Sequence, residues 1–294
     1  MSLIDKTFMK YWGFSLVGLK CKMKFIMNRF TRLLLKHVFR KAYEQWDWFE
    51  KPFTLRDCVF MSKDGLLLKG YDKSILTALS SSHEPFFHSI LKKVLKENSV
   101  FIDVGAHLGG FTLRAAKLCS KGLVIALEPD PRNYYYLVTN IALNSINNVI
   151  ALPFAAHSTS WKIVKFNISK NSGRSSTIST HRNKVLFTTY ATTISLDNIV
   201  AMLGLEKVDA IKIDVEGAEA EVLKGSKKTL RNGTVLLIEI HSKNNLTQCR
   251  KILEKQNYTY KTLHTSPKNQ WHKHIIAHPA KKNTPTTKKH NPQP

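Results

Sequence analysis

The chain has 294 residues, 43% of them hydrophobic, enough to bury a sizeable core and to exclude intrinsic disorder as its default state. Lys and Arg number 45 against 21 Asp and Glu, and the formal charge of +24 favours acidic partners such as nucleic acid, anionic lipid or a charged glycan. Cys21, Cys58, Cys119 and Cys249 are scattered without CxxC spacing, which argues against a zinc cluster or a disulfide framework and fits a reducing compartment.

Along the chain, the first apolar run, "YWGFSLVGL" (11–19), falls far short of the roughly 20 residues of a membrane span. The flanking Lys20, Cys21 and Lys22 lack a signal-peptide pattern, so a cytoplasmic location is expected. Residues 20–43 place Phe25, Met27, Phe30, Leu33, Leu34, Val38 and Phe39 near helical spacing among lysines and arginines. Such a basic amphipathic helix either packs on its own domain or makes a peripheral contact with anionic membrane. "CVFMSKDGLLLKGY" (58–71) is predicted as a hairpin turning at Lys63, Asp64 and Gly65. Residues 1–83 are thus expected to form an N-terminal cap.

From Glu84 to His278 helices and strands alternate. Helices are predicted at 84–97, 109–118, 131–144, 216–230 and 246–255, and buried strands at 100–104, 123–128, 148–155, 208–215 and 234–241, with two closing strands at 258–264 and 273–278. This pattern predicts a run of parallel βα units. Residues 161–190, rich in Ser, Thr and Asn, read as an inserted antiparallel segment. Residues 279–294 are Pro-rich and basic, without apolar periodicity, and read as a disordered tail.

In an open α/β sheet the ligand sits at the carboxyl ends of the strands. "FIDVGAHLGGFT" (101–112) brings Asp103 to such an end, and Gly105 and Gly109 allow close backbone approach. The glycine spacing is not GxGxxG, and no Lys-Ser or Lys-Thr pair makes a P-loop. Glu128 closes the next strand, about 20 residues on, where a carboxylate can accept hydrogen bonds from both hydroxyls of a ribose.

Using a neutral hydroxyl as a nucleophile needs alignment and a nearby base. The next two strands end in Asp214 and Glu216, and in Glu239 and His241; alternation puts each pair on one face if its strand persists that far. His241, with a near-neutral intrinsic pKa, is the natural base, whereas Asp214 and Glu216 can orient substrate or cap the following helix. The four also form a hard oxygen and nitrogen set suited to magnesium or manganese, but strand-end clusters are usually hydrogen-bonded internally, and no metal is assigned. Arg174 and Arg182 in the insert can meet an acidic acceptor.

"FIDVGAHLGGFT", "ALEPDPRNYYYLVTNIALN", "ISLDNI" and "IKIDVEGAEAEVLKG", in unbroken order over roughly 99–241, resemble the successive motifs of the FkbM-type S-adenosylmethionine-dependent methyltransferases. The resemblance implies a Rossmann-like class I fold, a seven-stranded, mostly parallel sheet with an antiparallel last strand, behind an N-terminal helical and hairpin extension. It implies S-adenosylmethionine as cofactor and O-methylation of a sugar, glycan or other natural-product hydroxyl. Asp103, Gly105, His107 and Gly109 then fall in the cofactor loop, Glu128 at the ribose, and Ala156 beside adenine with Ser158 as a polar neighbour. Nucleic acid is the less favoured acceptor, because "DVEG" lacks the Asn/Asp-Pro-Pro-aromatic pattern of base N-methylation.

Overall fold

The computed structural model describes residues 14–18, 20–27, 58–80, 84–170, 172–177, 185–267 and 269–280. Phe30, Leu33, Leu34, Val38 and Phe39 of the basic stretch, Arg182, and the tail from 281 onward lie outside the described residues, as does the side chain of Arg174.

The N-terminal part is a three-stranded antiparallel sheet of β1 (Phe14–Val17), β2 (Val59–Ser62) and β3 (Leu67–Leu68), in that order. The predicted hairpin is present, its turn passing through Gly65 at φ 76°. Helical residues 20–27 bury Phe25 but leave Met27 exposed, so only part of the predicted apolar stripe faces inward. Helix α1 (Ile75–Leu79) completes this part. Its core of Leu16, Phe25, Phe60, Leu66, Leu68 and Ile75 runs directly into Leu108 and Leu113 of the main body.

The main body continues with α2 (Pro85–Val94), β4 (Val100–Val104), α3 (Gly110–Leu118), β5 (Leu123–Leu127), α4 (Pro131–Leu143) and β6 (Val149–Leu152). The predicted third strand breaks at Pro153, which has no N–H to donate. The chain then leaves for a second sheet, where β7 (Ala155–Ala156) and β8 (Ile163–Ser169) flank β9 (Val185–Ile194). Next come α5 (Leu196–Met202), β10 (Ala210–Ile213), α6 (Glu219–Lys224), β11 (Val235–Ile240), α7 (Lys243–Lys255), β12 (Tyr258–Ser266) and β13 (Asn269–Pro279). The helix predicted over 216–230 stops at Gly225, whose missing Cβ would lie 2.2 Å from the His157 carbonyl, and a 3-10 turn, Thr229–Asn232, follows. Ser242 caps α7 through the Asn245 amide, so that helix starts three residues earlier than its apolar pattern indicates.

The main sheet has the order β12-β13-β11-β10-β4-β5-β6. The five strands from β11 to β6 are parallel, and β13 runs antiparallel to both neighbours. Alternation decides what each face carries. Ile102, Val104, Ile211, Ile213, Leu236, Ile238 and Ile240 build one large apolar core, with α6 and α7 contributing to it. The opposite face is apolar at Phe101, Val124, Ala210 and Leu237, packed on Phe87 and Leu91 of α2. Further along, that second face turns polar at Asp103, Lys212 and Glu239, with His274 paired across from Glu239.

Candidate active site

A cavity of about 620 Å³ opens at the carboxyl ends of the parallel strands. Its size is that of a small-molecule site, roughly 300–1,000 Å³. Of the residues selected from sequence, Gly105, His107, Glu128, Ala156, Asp214, Glu216 and Glu239 line it. Asp103, Gly109, Ser158 and His241 stand behind that lining.

The glycine turn is dictated by crowding. Gly105 has φ 80°, and an added Cβ would lie 1.8 Å from the Asp214 carbonyl, so only glycine lets the β4 loop cross the end of β10. Gly109, at φ 90°, precedes α3, and a Cβ there would press on Leu137. Asp103 is fully buried; its Oδ2 accepts from the Thr112 hydroxyl at 2.7 Å, and its Oδ1 lies 3.8 Å from Lys212 Nζ. Burial pushes its carboxyl upward, against the pull of Lys212. Any hold of Asp103 on a ligand in the cavity is therefore indirect, through Lys212 and the loop.

Glu128 accepts from the backbone N–H of His107 at 2.7 Å through Oε2 and from that of Asp130 at 2.9 Å through Oε1. Burial, reinforced by the Asp130 charge, pushes its carboxyl up to about 8. His107 does not cap the helix, which begins at Gly110. Its backbone is turned to φ 54°, and its half-buried ring meets Ser172 of the insert at 2.8 Å and Ser74 of the cap at 3.3 Å. Burial lowers this imidazole to about 4, so it is neutral at physiological pH and ties cap, loop and insert together. Ala155 and Ala156 form a buried wall. Ser158 instead donates to Glu221 at 2.6 Å and contributes nothing to the cavity lining.

At the other end, β10 stops at Ile213, so Asp214 and Glu216 sit in the loop beyond it and not on one strand face. Glu216 takes φ 51°. Nε2 of His241 lies 3.7 Å from one oxygen each of Asp214, Glu216 and Glu239, while Nδ1 donates to the fully buried Glu219 at 2.6 Å. Burial works against protonation of His241, but the hydrogen bond and charge of Glu219, then Glu216 and Asp214, outweigh it and raise the ring to about 10. These carboxylates favour the protonated ring over the free base that its intrinsic pKa suggested.

Several participants escaped sequence reasoning. Buried Lys212 lies 3.4 Å from Asp214 and stays charged because Asp214 and Asp103 overcome its burial. His272 donates to Glu239, and His274 reaches Glu84 at 2.8 Å and Glu239 at 3.5 Å. Burial opposes ionisation of Glu239, but these imidazoles hold it well below the usual carboxylate range. The available signals were a lysine inside an apolar strand and the alternating "HKH" facing "EIH".

The sequence profile of the methyltransferase FkbM domain matches residues 103–260, more than half of the chain. The hexuronic acid methyltransferase AglP of Haloferax volcanii is 32% identical over 154 residues, 52% of this chain and 60% of that protein. Methyltransferase sdnD of Sordaria araneosa is 28% identical over 159 residues, 45% of this chain and 61% of that protein. The chain thus spans less than two thirds of the length of these curated relatives. Among solved structures, TYW2 of M. jannaschii in complex with AdoMet shows 18% identity and a TM-score of 0.45, over 75% of this chain and 84% of that one. This chain belongs to the FkbM methyltransferase family.

Proposed function

We propose that the chain is an S-adenosylmethionine-dependent O-methyltransferase whose acceptor is a hydroxyl of an acidic sugar, a glycan or a comparable small molecule. S-adenosylmethionine is the cofactor of the family, and the cavity fits it: Gly105 admits a ligand against the backbone, and Glu128 offers a carboxyl for a ribose diol. One observation carries the reading. A single cavity is lined both by Glu128 and by the carboxylates of Asp214, Glu216 and Glu239, so cofactor and acceptor can meet within it.

The cofactor supplies a methyl group already activated by the positive charge on sulfur. The chain's own residues align and deprotonate the acceptor. Asp214, 29% exposed and lining the cavity, is placed to take the hydroxyl proton, and Glu216 to hold a neighbouring hydroxyl. Lys212 Nζ, 3.4 Å from Asp214 Oδ2, holds that carboxylate in place. Lys73, exposed at the cavity rim, suits an acidic acceptor, in keeping with the name of the Haloferax volcanii relative. Untargeted mass spectrometry of glycans, lipids and small metabolites from cells with and without the protein tests this. A missing O-methyl group in an acidic glycan or metabolite is expected, and unchanged profiles in all three fractions would count against the proposal.

A further inference from the structure

We propose that Asp214, Glu216 and His241 form a divalent-cation site of the manganese type in the wall of the cavity. Nε2 of His241 and one oxygen each of Asp214 and Glu216 lie within 4.8 Å of one another. The contacts of Nε2 with Asp214 and Glu216 are both 3.7 Å, longer than a hydrogen bond. Two carboxylates with one imidazole suit a hard to borderline divalent ion, which on binding replaces the proton of Nε2 and releases it to solvent.

The surroundings are those of a built site. Glu219, wholly buried, accepts from His241 Nδ1 at 2.6 Å and from the Gly217 N–H at 2.9 Å, which fixes the ring with Nε2 toward the Asp214 and Glu216 carboxylates. A carboxylate behind the second nitrogen is the usual orienting partner of a metal-bound histidine. The other oxygen of Glu219 is buried without a hydrogen-bond partner among the described residues, so the histidine supplies the side-chain compensation of this carboxylate. Glu239, near the same Nε2, is already engaged by His272 and His274 and is not counted among the ligands. Lys212 is already shared between Asp103 and Asp214, so the acids outnumber the fixed cations here although the chain as a whole carries +24.

A cation bound here would face the cavity through Asp214 and Glu216 and could take an acceptor oxygen as a further ligand. This use rests on the methyltransferase reading, whereas the site itself does not. The test is titration of the metal-stripped full chain with MnCl2, followed by loss of the free-Mn2+ electron paramagnetic resonance signal. Adenosylmethionine binding is measured calorimetrically in EDTA on the same preparation. One saturable Mn2+ per chain in the micromolar range is expected, weakened at least tenfold in both Asp214→Asn and Glu216→Gln and unchanged in Glu97→Gln, an exposed carboxylate remote from the cavity. Absence of saturable binding up to millimolar Mn2+, or equal affinity in a folded Asp214→Asn or Glu216→Gln protein, would overturn the site. Failure of adenosylmethionine to bind would instead strike the methyltransferase reading and leave the metal result standing.

Discussion

Burial and the neighbouring Asp130 charge push the Glu128 carboxyl up to about 8, with two measurable consequences. Both ribose hydroxyls can donate only to the ionised carboxylate, so below pH 8 binding must first expel a proton. Adenosylmethionine affinity should rise from pH 6 to 8, by up to about tenfold per pH unit, and level off above. Calorimetry checks this, with Glu128→Gln weaker at pH 8 and without that pH dependence. The second consequence concerns stability. A folded pKa above the ordinary 4.5 means that the folded state binds the proton more tightly, so this group's stabilisation is complete below about 4.5 and is lost as pH rises through 8. Glu128→Gln should therefore have a higher Tm than wild type at pH 8.5 and little difference at pH 4.5.

Two further residues set the site's geometry. Gly105→Ala forces a Cβ onto the Asp214 carbonyl and a left-handed φ on alanine, and should cost about 3 kcal/mol in urea unfolding along with cofactor binding. Lys212→Met strips Asp103 and Asp214 of their shared cation and should destabilise by about 3–5 kcal/mol, with part recovered in the Asp103→Asn double variant.

Among the elements, the N-terminal sheet is bound to the methyltransferase fold by more than adjacency. Leu66, Leu68 and Ile75 share a core with Leu108 and Leu113. Asn140 of α4 accepts from the Lys69 N–H and donates to the carbonyls of Lys69 and Leu108, while Asn144 pairs with both backbone groups of Leu67. A chain starting at Glu84 would expose that core. It should unfold at a distinctly lower temperature than the full chain in calorimetry, and Asn140→Ala alone should cost about 1–3 kcal/mol. The main βα units were legible because buried parallel strands such as "VFIDV" and "LVIAL" are continuous apolar runs between helical patterns. The short strand β1 was not. Four residues, two of them buried and one exposed at 43%, carry too little periodicity to stand out from a loop. The break after β6 follows from Pro153, but the parallel pairing of β7 with β9 is a tertiary choice that local sequence does not encode.

In the whole molecule, polar residues concentrate where the second sheet face leaves the core, and this is why half of the site could be read in advance. Gly105 and Glu128 lie at strand ends, where position alone implies contact with a ligand. His272 and His274 lie on the last strand, and their meeting with Glu239 depends on the antiparallel register between β11 and β13, which spacing does not reveal. His241 was found by position, but its protonation state is set by Glu219, twenty-two residues away in the chain and wholly buried. The most direct test of the account is to incubate the purified full chain with methyl-labelled adenosylmethionine and separated cell fractions, then follow the label. The account predicts label in an O-methyl ether of a glycan or small acidic metabolite, with Glu128→Ala reducing incorporation at least tenfold at limiting cofactor. Label confined to RNA would contradict it.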